Sequence, residues 1–530
     1  MSRVSEMDRT DKTITGIKLQ ELVKEVDVLN PVKMPSTMIT GLTADSRRAA
    51  DGTLFVAIAG QTVDGHDYVR EAVRRGCTAV LVNKGFCRRL KLDQQVACLE
   101  TASTQEALGK VAAAFCRHPA AEMVMIGITG TNGKTTTTYL LESIIRGNGG
   151  NPGVIGTVNY RYNHKELQAP FTTPDAISLQ QLLREMADGG VSHVIMEVSS
   201  HSIEQQRIGG MRFDVALFTN LTRDHLDFHG DMENYFVTKK KLFVDYLKPD
   251  GKAVVVVDGK EQEPWGPRLL RELAKKDSGG GRLISCGKTG SNVVVHPIDE
   301  SIAGTVAEFD APQGKILVKS RMVGEFNLKN MLGAVGVAAA LGISREKVAE
   351  GLAVAQDAPG RLQKVGSVAG INVFVDYAHT PDALANVLAT LRKLTRKRLI
   401  VIFGCGGDRD RGKRAIMGKI AGQLADVVVL TSDNPRSESA EAILAEIESG
   451  IQAHALPRMR VETLLGAGFQ GYDVVVDRRE AIRTTIRHAG VGDVVAICGK
   501  GHETYQIDRQ GKRFFDDRLE AARLAAEQSW

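Results

Sequence analysis

Aromatic residues are scarce in this 530-residue sequence, 5% of it with two tryptophans. Long apolar runs are missing as well. The longest aliphatic stretches, such as "AVVVVD" and "DVVVLT", are strand-length, and the opening "MSRVSEMDRTDKTITG" is charged throughout without an apolar centre, so neither a membrane span nor a secretion signal is expected. No charge of one sign dominates: 68 Lys plus Arg against 63 Asp plus Glu leave a net +5 spread over mixed-sign segments. That balance argues against a nucleic-acid partner and suits anionic small molecules better. Seven cysteines, at 77, 87, 98, 116, 286, 405 and 498, show no C-x-x-C spacing and no clustering, which reads as reduced thiols in a cytoplasmic protein.

What is present is alternation. The length exceeds what one core supports, so several domains are expected. Short strands and the helix "HDYVREAVRRG" make a small α/β unit up to residue 121. From "EMVMIGITG" onward, apolar strand-length segments alternate with helical ones, the pattern of a parallel doubly wound sheet. "GTVAEFDAPQGKILVKS", 304–320, predicts a hairpin turning at Pro312–Gly314 that decorates that sheet. The break "DAPGR" at 357–361 reads as a hinge, after which the alternation restarts. The expectation is three α/β domains, 1–121, 122–358 and 359–530, the second a P-loop parallel-sheet domain and the third Rossmann-like.

The sharpest local signal is "GITGTNGKTTTTYLL", 127–141. A strand ends near Ile128 and a helix begins near Lys134, so backbone N–H groups from Gly130 through Thr131, Asn132 and Gly133 to Thr135 and Thr136 can surround an anion at a positive helix terminus. Lys134 would reach the terminal phosphates of ATP and the Thr135 hydroxyl would ligate Mg²⁺. The motif departs from the long form G-x-x-x-x-G-K-[ST], because Ile128 stands where its first glycine belongs.

That shortened loop resembles the Mur ligase family. "MEVSSHSIEQQR", "FTNLTRDHLDFHGDMENYFVTKKKLF", "DYAHTPDAL", "FGCGGDRDRGKR", "TSDNPRSE" and "CGKGHETYQ", in order from about residue 38 to the end, resemble its MurE type. The resemblance implies domains for a UDP-sugar, for ATP and for an amino acid, and a reaction in which ATP phosphorylates a substrate carboxylate that an amine then attacks. It implies that Glu197 and His225 hold a second Mg²⁺, and that Lys239, ten residues after His229, is carbamylated (N6-carboxylysine), with Lys240 and Lys241 as rivals. A carbamate requires a neutral amine first, which lysine can supply and arginine cannot.

The same resemblance implies contacts to UDP-N-acetylmuramoyl-L-alanyl-D-glutamate from Ser46, beside Asp45 and Arg47, from the weaker candidates Gln61 and His66, and from Thr172, Thr173, Ser199, Gln205 and Arg207. Asn327, Asn330, Arg361, Asp376, Tyr377 and His379 match its nucleotide region. Arg361 is expected to reach the phosphates only when the last domain swings in. For the incoming amino acid, Asp433 and Asn434 suit an α-amino and carboxylate group, and Arg436 a further carboxylate. Arg409, Gly499 and Glu503 complete a set implying meso-2,6-diaminopimelate, with L-lysine as the alternative. A monomer is expected, with no nucleic-acid or membrane partner.

Overall fold

The computed structural model describes residues 16–527 except 33, 61–62, 258–263, 276–280 and 369, so Gln61 and the first fifteen residues lie outside the described residues. Three main sheets follow one another along the chain. In the first, β1 (Gly41–Thr43), β2 (Thr53–Val56), β3 (Ala79–Asn83) and β4 (Ala97–Thr101) pair in parallel in that order, and both faces are covered by apolar clusters. Buried faces on both sides explain why β2 is apolar without alternation.

This first unit overturns one expectation. Cys87, in the short helix α1 (Phe86–Leu90), and Cys98, in β4, form a disulfide with their Cα atoms 5.9 Å apart. Neither has a C-x-x-C neighbour; the helix folding against β4 creates the pairing. The other five cysteines are free and buried, and burial pushes the Cys77 thiol up to about 11 and those of Cys116 and Cys405 up to about 12.

The central sheet has eleven strands: β5 (Val124–Thr129), β6 (Pro152–Ile155), β7 (Asn159–Tyr162), β8 (Lys165–Gln168), β9 (His193–Glu197), β10 (Phe213–Phe218), β11 (Leu247–Val256), β12 (Leu283–Gly287), β13 (Val293–Ser301), β14 (Gly304–Ala311) and β15 (Gly314–Ser320). Their spatial order is β8-β7-β6-β9-β5-β10-β11-β12-β13-β14-β15, parallel from β6 to β13 and antiparallel at both edges. The expected hairpin at 304–320 is there, with Ala311 opposite Gly314, but it continues the sheet as its edge instead of decorating it. Helices α2 (Lys134–Gly147), α3 (Met232–Val244) and α4 (Glu325–Ala340) flank this sheet. α2 and α4 share one core, α3 contributes to the other.

The third sheet runs β16 (Gln363–Val368), β17 (Ile371–Asp376), β21 (Val494–Cys498), β18 (Leu399–Phe403), β19 (Val427–Leu430) and β20 (Gly471–Val474), with only β16 antiparallel. Helix α5 (Arg478–His488) precedes β21. A hairpin of β22 (Tyr505–Asp508) and β23 (Gly511–Phe514) follows it, and the terminal helix α6 (Asp517–Glu527) closes the described chain. In open parallel sheets, ligands gather at the carboxyl ends of strands. The loops after β5, β9, β18, β19 and β21 carry the phosphate loop, Ser199, Gln205 and Arg207, and the residues expected at the amino acid, while His225 follows β10 and Tyr377 and His379 follow β17.

Candidate active site

The loop after β5 is shaped by backbone proximity. Gly133 takes φ +86°, and a Cβ there would lie 2.2 Å from Asn330 Oδ1, so only glycine lets α4 stand against the loop. Asn330 donates to Asn327 Oδ1, which places both expected asparagines behind the loop. On the other side, Asn132 N donates to Asn220 Oδ1 at 3.0 Å and the Asn132 side chain to Thr222 Oγ1 at 3.2 Å. The result is a pinned turn at a helix N-terminus. A cleft of about 140 Å³ opens beside it, bounded by residues 131–136 with Thr157, Thr172, Glu197, Ser199, His225 and Arg361.

Glu197, buried at the end of β9, is held by donors on two sides. Thr135 Oγ1 donates to its Oε2 at 3.0 Å, Thr157 Oγ1 to the same oxygen at 2.9 Å, and Thr157 N to Oε1 at 2.9 Å. Thr157 also meets Thr172, hydroxyl to hydroxyl, at 3.1 Å. Sequence reasoning missed Thr157, since it stands 40 residues before Glu197 with no motif around it. His225 sits in a left-handed conformation, φ +53°, with its ring 4.9 Å from that of His201. Desolvation lowers its pKa, so its ring is disposed to remain neutral and able to ligate.

The oxygen pair of Thr135 and Glu197 suits Mg²⁺, which binds one or two carboxylate or hydroxyl groups and fills its octahedron with water and substrate phosphates. Among the described residues no group of three or more His, Cys, Asp or Glu could cage a metal alone, so a metal here would need substrate oxygens.

Cations converge on the same loop. Lys134 Nζ donates to Gly130 O at 2.8 Å and Thr131 O at 2.9 Å, and Lys239 Nζ reaches Gly130 O at 2.9 Å from α3. Lys239 is 1% exposed, whereas Lys240 pairs with Glu272 and Lys241 with Glu204 at the protein's margin. Arg361 faces the cleft with a buried Nε that has no partner, its guanidinium 4.8 Å from the Tyr377 ring. The expected swing is therefore not needed to bring Arg361 to the loop, because the structure already seats it there.

Asp376 turns out to be a staple: its carboxylate accepts from Leu362 N at 2.5 Å and Ala378 N at 2.7 Å, fastening the hinge to the start of the last domain. Desolvation raises its pKa, and Arg361 works against that. His379 Nδ1 is engaged with the Tyr377 carbonyl at 2.8 Å.

Beyond the cleft lies a second group. Thr173 Oγ1 donates to Glu197 O and accepts from Ser199 N, while Arg207 donates to Thr173 O at 2.9 Å and grips Gln205 Oε1 with two nitrogens. Two expected contacts stand apart in the first domain. The Ser46 hydroxyl is buried against Glu71. His66 is a satisfied core histidine, its Nδ1 2.6 Å from Asp64 and its Nε2 accepting from Asn83 N at 3.0 Å, so no ring nitrogen is left for a uracil.

In the third domain the loops after β18, β19 and β21 close on one another. A Cβ on Gly407 would lie 1.9 Å from Pro435 O, so the backbones touch, and Arg436 Nη1 donates to Gly407 O at 2.6 Å. Asp433 Oδ2 lies against Gly499. Asn434 donates to Glu503 Oε2 at 2.8 Å, and its Oδ1 accepts from Lys500 Nζ and Ile507 N. Asn434 is thus largely committed to the protein instead of standing free for an amino group. Arg409 is exposed, donating to the Asp408 carbonyl at 3.3 Å. Lys500, wholly buried in this group, was missed by sequence reasoning, for which it was one letter of "GKGHE".

Fold and cleft together define a P-loop nucleotide-binding protein whose third domain brings Arg361 up to the phosphate loop. Comparison with known proteins makes this specific. Residues 38–116 match the Mur ligase family, catalytic domain, 128–338 the Mur ligase middle domain, and 360–501 the Mur ligase, glutamate ligase domain. A UDP-N-acetylmuramoyl-L-alanyl-D-glutamate--2,6-diaminopimelate ligase of Geobacter metallireducens is 43% identical over 523 residues, 97% of this chain and 99% of the relative. One of the same name from Gloeobacter violaceus is 40% identical over 512 residues, 96% of this chain and 97% of its own. A solved structure of a ligase so named superposes with TM-score 0.69 at 30% identity over 97% of this chain and all of that chain. MurF from Acinetobacter baumannii, 22% identical with TM-score 0.59 over 92% of this chain and 96% of its own, shares the fold. The chain belongs to the Mur ligase family.

Proposed function

We propose that this protein is a cytoplasmic, ATP-dependent, ADP-forming ligase that joins meso-2,6-diaminopimelate to UDP-N-acetylmuramoyl-L-alanyl-D-glutamate in peptidoglycan precursor synthesis. The observation that carries the reading is the convergence of Lys134, Glu197, His225 and Arg361 on one cleft, in a chain 43% identical over 523 residues to a relative of that name. The first domain would take the UDP-sugar, the second ATP, and the third the amino acid.

A carboxylate oxygen of the nucleotide-peptide attacks the γ-phosphorus of ATP and ADP leaves. The amine then attacks the acyl carbon, loses a proton, and expels inorganic phosphate. Lys134, the loop N–H groups and Arg361 supply positive charge where the transferred phosphoryl develops negative charge. Thr135, Glu197 and His225 would hold Mg²⁺, which supplies charge neutralisation on the phosphates when bound. Thr173, Ser199, Gln205 and Arg207 orient the acceptor peptide. Lys239 is the lysine proposed for carbamylation, as burial and Lys134 both disfavour its ammonium form. Substrates seated in this cleft would keep water from the acyl phosphate.

The test is phosphate release from ATP with the nucleotide-dipeptide and either meso-diaminopimelate, L-lysine or no amino acid. Release dependent on diaminopimelate is expected. Turnover with lysine alone would overturn the substrate assignment, and release without any amino acid would make the protein an ATPase.

A further inference from the structure

Burying an ammonium is costly unless its contacts are well made, and Lys500 is 0% exposed. Its Nζ donates to Asn434 Oδ1 at 3.1 Å and to Glu503 Oε2 at 3.3 Å. Asn434 Nδ2 donates to that same Glu503 oxygen at 2.8 Å, and Asn434 Oδ1 also accepts from Ile507 N at 3.0 Å. An ammonium only donates and a carboxylate only accepts, so between them they dictate the Asn434 amide: oxygen toward Lys500, nitrogen toward Glu503. A flipped amide would set N–H against N–H and oxygen against oxygen.

The charges count the same way. Asp433 and Glu503 contribute two negatives to this cluster, and Arg436, Lys500 and Arg409, whose side chain lies beside Arg436 at Gly406, three positives. A doubly zwitterionic amino acid is neutral, whereas lysine carries one net positive charge. Without Lys500 the cluster loses one positive charge and discriminates less against the cationic substrate.

We propose that Lys500 is a positioning and specificity-determining residue, which fixes the Asn434 amide and the Glu503 carboxylate and adds a positive charge to the pocket, so that diaminopimelate is preferred over lysine. This rests on the function proposed above. It assigns Lys500 no contact with the reacting atoms.

The test compares the parent with Lys500→Met, Lys500→Gln and Lys500→Arg in steady-state kinetics with each amino acid. Lys500→Met is expected to raise the KM for diaminopimelate about tenfold or more, to lower its preference over lysine by about as much, and to leave the KM for ATP within about twofold. Lys500→Gln keeps a donor without the charge and is expected to lose preference while binding diaminopimelate better than Lys500→Met. Lys500→Arg should retain the preference. A folded Lys500→Met or Lys500→Gln with unchanged preference, or with both KM values rising together, overturns the proposal. If the parent itself shows no diaminopimelate-dependent turnover, the function reading has failed, and crystals of whichever uncharged variant folds then decide: Asn434 and Glu503 keeping their parent conformers overturns the positioning role, and their rearrangement supports it.

Discussion

Lys134 and Lys239, 105 positions apart in sequence, rest their side-chain nitrogens on one oxygen, the Gly130 carbonyl, at 2.8 and 2.9 Å. Two cations on one acceptor repel, and both are desolvated. Desolvation is the larger cause in each, and it lowers the Lys134 pKa and drives that of Lys239 well below its usual 10.5. A lysine held toward its neutral form is the kind that can take up carbon dioxide or accept a proton, and α3 offers it at the phosphate loop.

Replacing Lys239 by Ala is therefore expected to cut ligase turnover by about a hundredfold or more, the effect of removing a positioned charge from a closed site. Added short carboxylates should restore part of it by standing in for a carbamate head. Lys240→Ala and Lys241→Ala should remain within about threefold, because half-exposed ion pairs contribute about 0–1 kcal/mol. Phosphate release with saturating substrates checks all three; a Lys239→Ala enzyme as active as the parent would remove the role.

Arg436 lies at the mouth of the loop after β19, in a left-handed conformation at φ +53° with one nitrogen on Gly407 O. Arg436→Ala should lower kcat/KM for diaminopimelate by about 10- to 100-fold, a charged hydrogen-bonded partner being worth about 1.5–3 kcal/mol. Turnover with lysine should change little. Equal losses with both amino acids would mean that the arginine supports the loop and reads no carboxylate.

How much of this was legible in the sequence follows from distance along the chain. The phosphate loop is local, a strand end, two glycines and Lys-Thr within eight residues, and it stands where the pattern put it. The alternation of buried strands and amphipathic helices marked the parallel centre of both larger sheets. The β7–β8 hairpin left no such mark: its turn residues Asn163 and His164 both take positive φ, 46° and 63°, without the glycine that usually announces such a turn. Thr157 at Glu197, Lys500 at Asn434 and the Cys87–Cys98 pairing are all made by tertiary folding, and no local spacing encodes them.

The third domain also carries a fully buried ion pair between Arg478 of α5 and Asp517 of α6, with two bonds at 2.7 and 2.6 Å and a third from Arg478 to the Cys498 carbonyl at 3.0 Å. It ties the terminal helix beneath the loop that holds Gly499. Breaking one side leaves a buried charge alone, so Asp517→Ala should destabilise the domain by about 3–5 kcal/mol. Arg478→Met with Asp517→Leu should recover much of that loss, because no unpaired charge remains. Denaturant midpoints of the single and double variants measure the difference.

His502, next in chain to Gly501 in the same loop, gives the protein an acid limit. Desolvation first, then the nearby cations Arg361 and Arg518 and the His379 ring, lower its pKa from 6.5 to about 3, and its Nδ1 has no hydrogen-bond partner. A histidine whose pKa is lower folded than unfolded binds its proton preferentially in the unfolded chain. Its contribution is whole above about pH 6.5 and is lost progressively as the pH falls toward about 3. The thermal midpoint of the parent should accordingly fall between about pH 6.5 and pH 4, and His502→Asn, which cannot titrate, should show a shallower fall over that interval. A variant whose midpoint tracks the parent at every pH would assign the acid sensitivity to other groups. His201, lowered to about 4 by desolvation and then by His225, is the first of these.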